Sequence, residues 1–140
     1  MAEDRAPGGS AEGPRHEARE RALALLYEAE MKLAGPDEVL GALVVLPDPF
    51  AVAIVRGVVA NAQRIDALVA AAAEGWEIDR MPVLDRGILR MATYELLAEP
   101  DTPVAVVIDE AVELAHQYST EFSGRFVNGV LSTIARQVRG

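Results

Sequence analysis

The segment at residues 85–97 constrains the fold of this chain more than any other. Wound as a helix at about 100° per residue, it carries apolar side chains over about half of its circumference or more, whereas an ordinary surface helix has an apolar stripe of about 100°. Only a narrow edge with Arg86, Arg90 and Thr93 is polar. Several other helices must cover such a helix, so we predict that it is the central helix of an all-α fold. Its apolar arc consists of Leu84, Ile88, Leu89, Met91, Ala92 and Leu96.

Prolines, glycines and capping residues divide the rest of the chain into further predicted helices. Asp79 is the predicted N-cap of the central helix, and Pro82 lies in its first turn. Asp48 and Ser123 are the predicted N-caps of two other helices. Apolar residues at steps of three and four favour helix even at residues 104–108, which could be misread as a strand. The remaining predicted helices cover residues 14–33, 37–45, 49–73 with a bend or break possible at Gly57 or Asn61, 103–118, and 123 onward.

Composition and charge limit the core and the possible partners. The 140 residues are 51% hydrophobic, which is enough for the core of one domain, predicted at residues 14–140 after a disordered tail at residues 1–13. The net charge of −9 argues against general affinity for nucleic acid, so a nucleic-acid site must be a local basic patch. The sequence has no cysteine, which is compatible with the reducing cytoplasm. It also has no apolar run of the ~18 residues that are needed to span a membrane.

No motif in the sequence indicates an enzyme. It contains no glycine-rich phosphate loop, no His-Glu-x-x-His and no nucleophile elbow. Asp109, Glu110 and Glu113 could be paired carboxylates for acid–base chemistry, but we interpret them as a solvated helix face. Glu113 and His116, three residues apart, are also more typical of a solvated surface than of a metal site. We therefore expect no catalytic residue, no metal and no cofactor.

Two small groups of residues could bind nucleic acid. Arg15 and Arg19 lie one turn apart at the edge of the apolar stripe of the first helix, as a phosphate-binding patch would. Surface charges that support an exposed helix would give the same pattern. Phe126 lies about 90° from the apolar centre of the last helix, beside Arg125, where its ring could stack on a base. The alternative for Phe126 is a residue at the boundary of the core.

Four sequence blocks together match one known family. They begin at Arg15, Asp85, Asp109 and Phe126 and cover most of the chain from Arg15 to Leu131. In one-letter code they read RHxxRxxAxxLLY followed by Glu30, DRxILRxAxYEL, DEAVELA and FVNGVL. In this order they resemble the NusB transcription antitermination factors. The second and fourth blocks are specific in combination, whereas either alone would be a weak signal.

The resemblance implies both a fold and a function. It implies about six to seven helices in two small bundles packed side by side. It also implies binding of the boxA element of nascent ribosomal RNA jointly with ribosomal protein NusE, in a complex that lets RNA polymerase read through terminators. Carried over by position, the RNA-binding residues are Arg15, His16, Arg19, Arg125 and Phe126, and the residues that meet NusE are Tyr27 and Asp85.

The sequence departs from the family pattern at a few positions, and two other functions stay open. His16 and Glu17 occupy positions that are often arginine, and Phe122 stands where an acidic residue is often found. One alternative is the related N-terminal RNA-binding module of ribosomal RNA cytosine methyltransferases, which precedes a long catalytic domain, whereas this sequence ends at Gly140. The other alternative is a helical homodimeric adaptor with little RNA binding.

Overall fold

A computed structural model describes residues 13–140 and forms seven α-helices in that range, with no β-strand. The predicted all-α fold is therefore confirmed. The tail predicted at residues 1–13 lies outside the described residues except for Gly13. None of the helices in the described range is long and apolar enough to cross a membrane. The helices are α1 (Pro14–Lys32), α2 (Pro36–Gly41), α3 (Pro49–Ala60), α4 (Ala62–Ala72), α5 (Val83–Ala98), α6 (Val104–Tyr118) and α7 (Ser123–Arg139).

The α5 helix lies at the centre of the packing, as its wide apolar arc predicts. It contacts α1, α3, α4, α6 and α7, so that five of the other six helices pack against it. Ile88 and Leu89 are fully buried, and Met91 and Leu96 nearly so. Thr93, predicted to lie on the polar edge, is also fully buried, and its hydroxyl has no hydrogen-bond partner among the described residues. The polar edge is therefore narrower than the sequence indicates.

Two of the predicted N-cap residues are wrong. The α5 helix begins at Val83 with Pro82 as its N-cap residue, while Asp79 lies in a preceding single 3₁₀ turn. The α7 helix has Phe122 at its N-cap, and Ser123 is already its first helical residue. The Ser123 side chain is buried, and its hydroxyl donates to the carboxylate of Asp85 on α5 at 3.0 Å instead of capping α7. The α2 helix also ends at Gly41 rather than near residue 45.

The long third segment is divided at Asn61 into α3 and α4. Asp48 caps α3 as predicted, since its carboxylate accepts a hydrogen bond of 2.7 Å from the N–H of Phe50. At the break, the Asn61 side-chain amide donates to the carbonyl of Gly57 at 2.8 Å. Gly57 itself lies inside α3 and serves packing, because a Cβ at this position would overlap the ring of Tyr94. The break therefore falls at Asn61, and Gly57 permits the close approach of α3 and α5.

Candidate nucleic-acid and partner interface

Arg15 is exposed in the first turn of α1 and lies over the ring of Phe50. The guanidinium carbon is 3.8 Å from the ring centroid, which is a cation–π distance. Phe50 lies in the first turn of α3, whose start is fixed by the Asp48 cap and by Pro49. The contact therefore orients Arg15 without neutralising its charge. The positive end of the α1 dipole lies at the same place and adds to the local attraction for an anion.

Arg19, which the sequence placed beside Arg15 in one patch, lies in the interior. Its side chain is 4% exposed, and its Nε and Nη2 each donate to a carboxylate oxygen of Glu95 at 2.8 Å. Its Nη1 lies 3.6 Å from Oε1 of Glu110. Burial opposes the charged form of Arg19, but the hydrogen bond and charge of Glu95 outweigh that effect and raise its pKa. The exposed patch therefore contains Arg15 but not Arg19.

His16 is also buried, and it holds the start of α1 against α6. Its Nδ1 lies 2.9 Å from Oε1 of Glu110, and its Nε2 lies 3.6 Å from a carboxylate oxygen of Glu20. The interpretation of Glu110 as part of a solvated face is wrong, since this residue is 4% exposed. Glu110 lies between His16 and Arg19, and both of these α1 residues face its carboxylate. The buried cluster thus fixes the turn that carries Arg15.

Arg125 and Phe126 lie in the first turn of α7, at the opposite end of the sequence. Arg125 is exposed, and Phe126 is half-buried and packs against the core, as the alternative of a residue at the core boundary predicted. The ring of Trp76 lies 5.7 Å from that of Phe126, tilted by 57°. Gly124 lets α7 approach α6 here, because a Cβ would overlap the imidazole of His116. The sequence reading missed Trp76, although a single tryptophan in a linker was a usable signal.

Tyr27 lies on a groove between α1, α3, α4 and α5. The groove has a volume of about 390 Å³, and the side chain of Tyr27 is 42% exposed at its edge. Most of the lining is apolar, with Leu23, Leu26, Leu33, Val58 and Val83 among the contributors. An apolar groove with an amphipathic aromatic side chain at its edge is typical of a site for a protein segment.

Ion pairs form the polar wall of this groove. Arg86 donates to both carboxylate oxygens of Glu30, at 2.7 and 3.0 Å, and Arg90 donates to both oxygens of Asp66, at 2.9 and 3.1 Å. The hydrogen bond from Arg86 is the main reason that the pKa of Glu30 is lowered. The Glu30–Arg86 pair therefore stays charged at neutral pH, and the ion pairs connect α1, α4 and α5.

Asp85, predicted to meet NusE, is buried at 4% exposure. Its carboxylate accepts hydrogen bonds from the hydroxyls of Ser119 and Ser123, the second at 3.0 Å. It thereby attaches the connection between α6 and α7 to the first turn of α5. Its neighbours Val83 and Gly87 line the groove at Tyr27, but Asp85 does not. Within residues 13–140, no group of three or more His, Asp or Glu residues could hold a metal ion.

Comparison with known proteins identifies the family. A model of the NusB family matches residues 16–136 of this chain. The chain belongs to the NusB family. The transcription antitermination protein NusB of Saccharopolyspora erythraea is 49% identical over 129 residues, which cover 88% of this chain and 87% of the relative. The protein of the same name from Salinispora tropica is 48% identical over 128 residues, which cover 86% and 94%.

Solved structures of NusB proteins have the same fold. T. maritima NusB superposes with a TM-score of 0.82 at 37% identity, over 90% of this chain and 93% of that one. A structure of the antitermination factors NusB and NusE in complex with double-stranded RNA matches with a TM-score of 0.71 at 28% identity, over 86% of this chain and 94% of that one. The likeness therefore extends across nearly the full length of the NusB chain in each structure.

Proposed function

We propose that this protein is a transcription antitermination factor that binds the boxA element of ribosomal RNA transcripts together with ribosomal protein NusE. The observation that carries the proposal is its likeness to a NusB chain solved with both NusE and RNA, over 86% of its own length. The protein acts by binding, as one helical domain of residues 14–140 in the cytoplasm, within an antitermination complex of RNA polymerase. It is not an enzyme, and it needs no cofactor.

The RNA contacts are assigned to Arg15, Arg125 and Phe126. Both arginines are exposed in the first turn of a helix, where the helix dipole adds to their attraction for phosphate. Phe126 adds a ring that is only partly covered and can stack on a base. His16 and Arg19 are buried, so they do not contact RNA directly and instead hold the turn that presents Arg15. This division of roles assigns RNA binding by an acidic protein to exposed residues at the starts of α1 and α7.

The NusE contact is assigned to the apolar groove at Tyr27. A segment of the partner that enters the groove would cover the exposed part of the Tyr27 ring, and buried aromatic side chains dominate the energy of many interfaces. Asp85 contributes indirectly, because its hydrogen bonds hold the first turn of α5 beside the groove. We therefore expect Tyr27 to be the direct contact and Asp85 to be a positioning residue.

Binding of a boxA oligonucleotide, measured over a range of salt concentrations with and without NusE, tests the RNA assignment. Arg15→Ala and Arg125→Ala should each weaken binding and reduce the salt slope by roughly 0.7–0.9, because each removes one phosphate contact. Arg21→Ala, at an exposed residue of the same helix as Arg15, is the matched control and should leave the slope unchanged. Equal affinity of the wild-type protein for boxA and for a scrambled RNA would contradict the proposed function.

A substitution in the groove tests the NusE assignment. Tyr27→Asp places a charge where the interface must exclude water, so NusE binding should fall by about tenfold or more while the thermal midpoint changes little. Val44→Asp adds the same charge at a fully exposed residue of the loop between α2 and α3 and serves as the control. Undiminished NusE binding by Tyr27→Asp, measured by calorimetry, would place the contact elsewhere.

A further inference from the structure

Three of the seven aromatic residues of this chain gather where α7 begins. Phe122 is 75% exposed, Trp76 is 51% exposed and Phe126 is half-buried. Scattered apolar residues are normal on a protein surface, but a group of aromatic rings is a feature of binding sites. We refer to Phe122, Phe126 and Trp76 as the aromatic row.

The backbone and the ring contacts determine the order of the row. The N–H of Phe126 donates to the carbonyl of Phe122 at 3.3 Å, and Phe122 has helical dihedral angles of −91° and −13°. The two side chains therefore leave neighbouring turns of α7 on one face, with Cβ atoms roughly 5–6 Å apart. The ring of Trp76 lies 5.7 Å from the ring of Phe126. Phe126 thus neighbours both other members of the row.

The fold does not depend on Phe122 for this turn. The connection between α6 and α7 is already held by the Ser123 hydroxyl, which bonds Asp85 at 3.0 Å, and by the Thr120 N–H, which donates to Ser123. A side chain with three quarters of its surface in water contributes little to packing. Since the ring has no structural task within the described residues, its exposed face is available to a ligand.

The charges around the row match a nucleic-acid strand. Arg125 is exposed and lies between Phe122 and Phe126 in sequence, and the dipole of α7 gives this end of the helix a positive potential. A flat ring that stacks and a cation that holds phosphate are the two components of sites for single-stranded RNA. An apolar protein segment would use the rings but would have no use for the cation.

We propose that the aromatic row is a stacking platform for consecutive unpaired RNA bases, with Phe122 as a base contact in addition to Phe126. The inference rests on the proposed RNA binding and deepens it. The platform supplies affinity without releasing counterions, so it complements the phosphate contacts of Arg15 and Arg125 on this acidic chain. A duplex cannot use it, because paired bases keep their faces stacked within the helix.

The single tryptophan of the chain reports on the platform directly. Single-stranded boxA RNA should quench the fluorescence of Trp76 in the wild-type protein, and the same sequence annealed to its complement should quench it far less. Phe122→Ala should raise the Kd for the single strand by about 5- to 150-fold. The salt slope should stay unchanged, because no phosphate contact is lost. Phe122→Tyr should retain the affinity, and Phe122→Leu should lose it.

Two controls separate the platform from trivial effects. Val44→Ala also removes exposed apolar surface and should leave both Kd and quenching unchanged. The thermal midpoint of Phe122→Ala should shift by less than about 2 °C, which excludes unfolding as the cause. If the wild-type protein binds boxA RNA but Phe122→Ala binds it equally well, the platform is refuted and the proposed function stands. If the wild-type protein does not bind boxA RNA at all, both are refuted.

Discussion

Replacement of Arg19 by alanine separates a structural role from an RNA-binding role. In the folded protein, Arg19 neutralises Glu95, which is 2% exposed, through two hydrogen bonds of 2.8 Å. Arg19→Ala leaves that carboxylate buried without a charged partner, and removing one member of a buried pair costs about 3–5 kcal/mol. For a chain of 140 residues, this corresponds to a decrease of about 10–17 °C in the thermal midpoint.

Thermal unfolding followed by circular dichroism, together with RNA affinity on the same preparation, measures both roles. Arg15→Ala is the matched control, because it removes an exposed arginine one turn earlier, and its midpoint should change by less than about 2 °C. The double variant Arg19→Met, Glu95→Leu should recover part of the loss, since it removes the uncompensated charge and restores apolar packing.

The opposite pattern would refute this reasoning. If Arg19→Ala unfolds at the wild-type temperature but has a salt slope lower by about 0.7–0.9, the guanidinium binds phosphate and does not stabilise the fold. A double variant that is less stable than Arg19→Ala would also contradict the account, because it would mean that Glu95 is not left as an unpaired charge.

Three further substitutions test the packing and the ion pairs. Gly57→Ala should destabilise by about 1–3 kcal/mol in thermal or urea unfolding, because its Cβ overlaps the ring of Tyr94, whereas Gly41→Ala, which has open space, should not. Arg139→Ala should cost about 1–3 kcal/mol by the same measurement, since its guanidinium donates to four backbone carbonyls at and beyond the end of α5; a loss below about 0.5 kcal/mol would contradict this. Glu30→Gln should lower stability at pH 7. Because the folded pKa of Glu30 is lowered, its contribution is complete above the usual value of 4.5 and disappears as the pH falls through the folded pKa, so wild-type and variant stabilities should converge in acid.

Local chemistry along the chain was sufficient to predict most of the helices and the central position of α5. Asp48 and Pro49 start α3 because an acceptor side chain and a ring that lacks an N–H suit the first turn of any helix. The position of Phe126 at the edge of the core also followed from the winding of α7 alone. These features depend on residues within a few positions of one another, so a single sequence contains the information.

The tertiary structure alone decided which polar residues are buried. Arg19 lies 76 positions from Glu95 in sequence, and His16 lies 94 positions from Glu110, yet each pair is joined inside the protein. Helical periodicity predicts which face of α1 a residue occupies, but it does not predict whether another helix with complementary carboxylates covers that face. The same limit applies to Asp85, whose partners Ser119 and Ser123 come from a distant connection. An arginine at the edge of an apolar stripe therefore looks the same in sequence whether it binds a phosphate in solvent or a glutamate in the core, because only the packing of distant segments distinguishes the two.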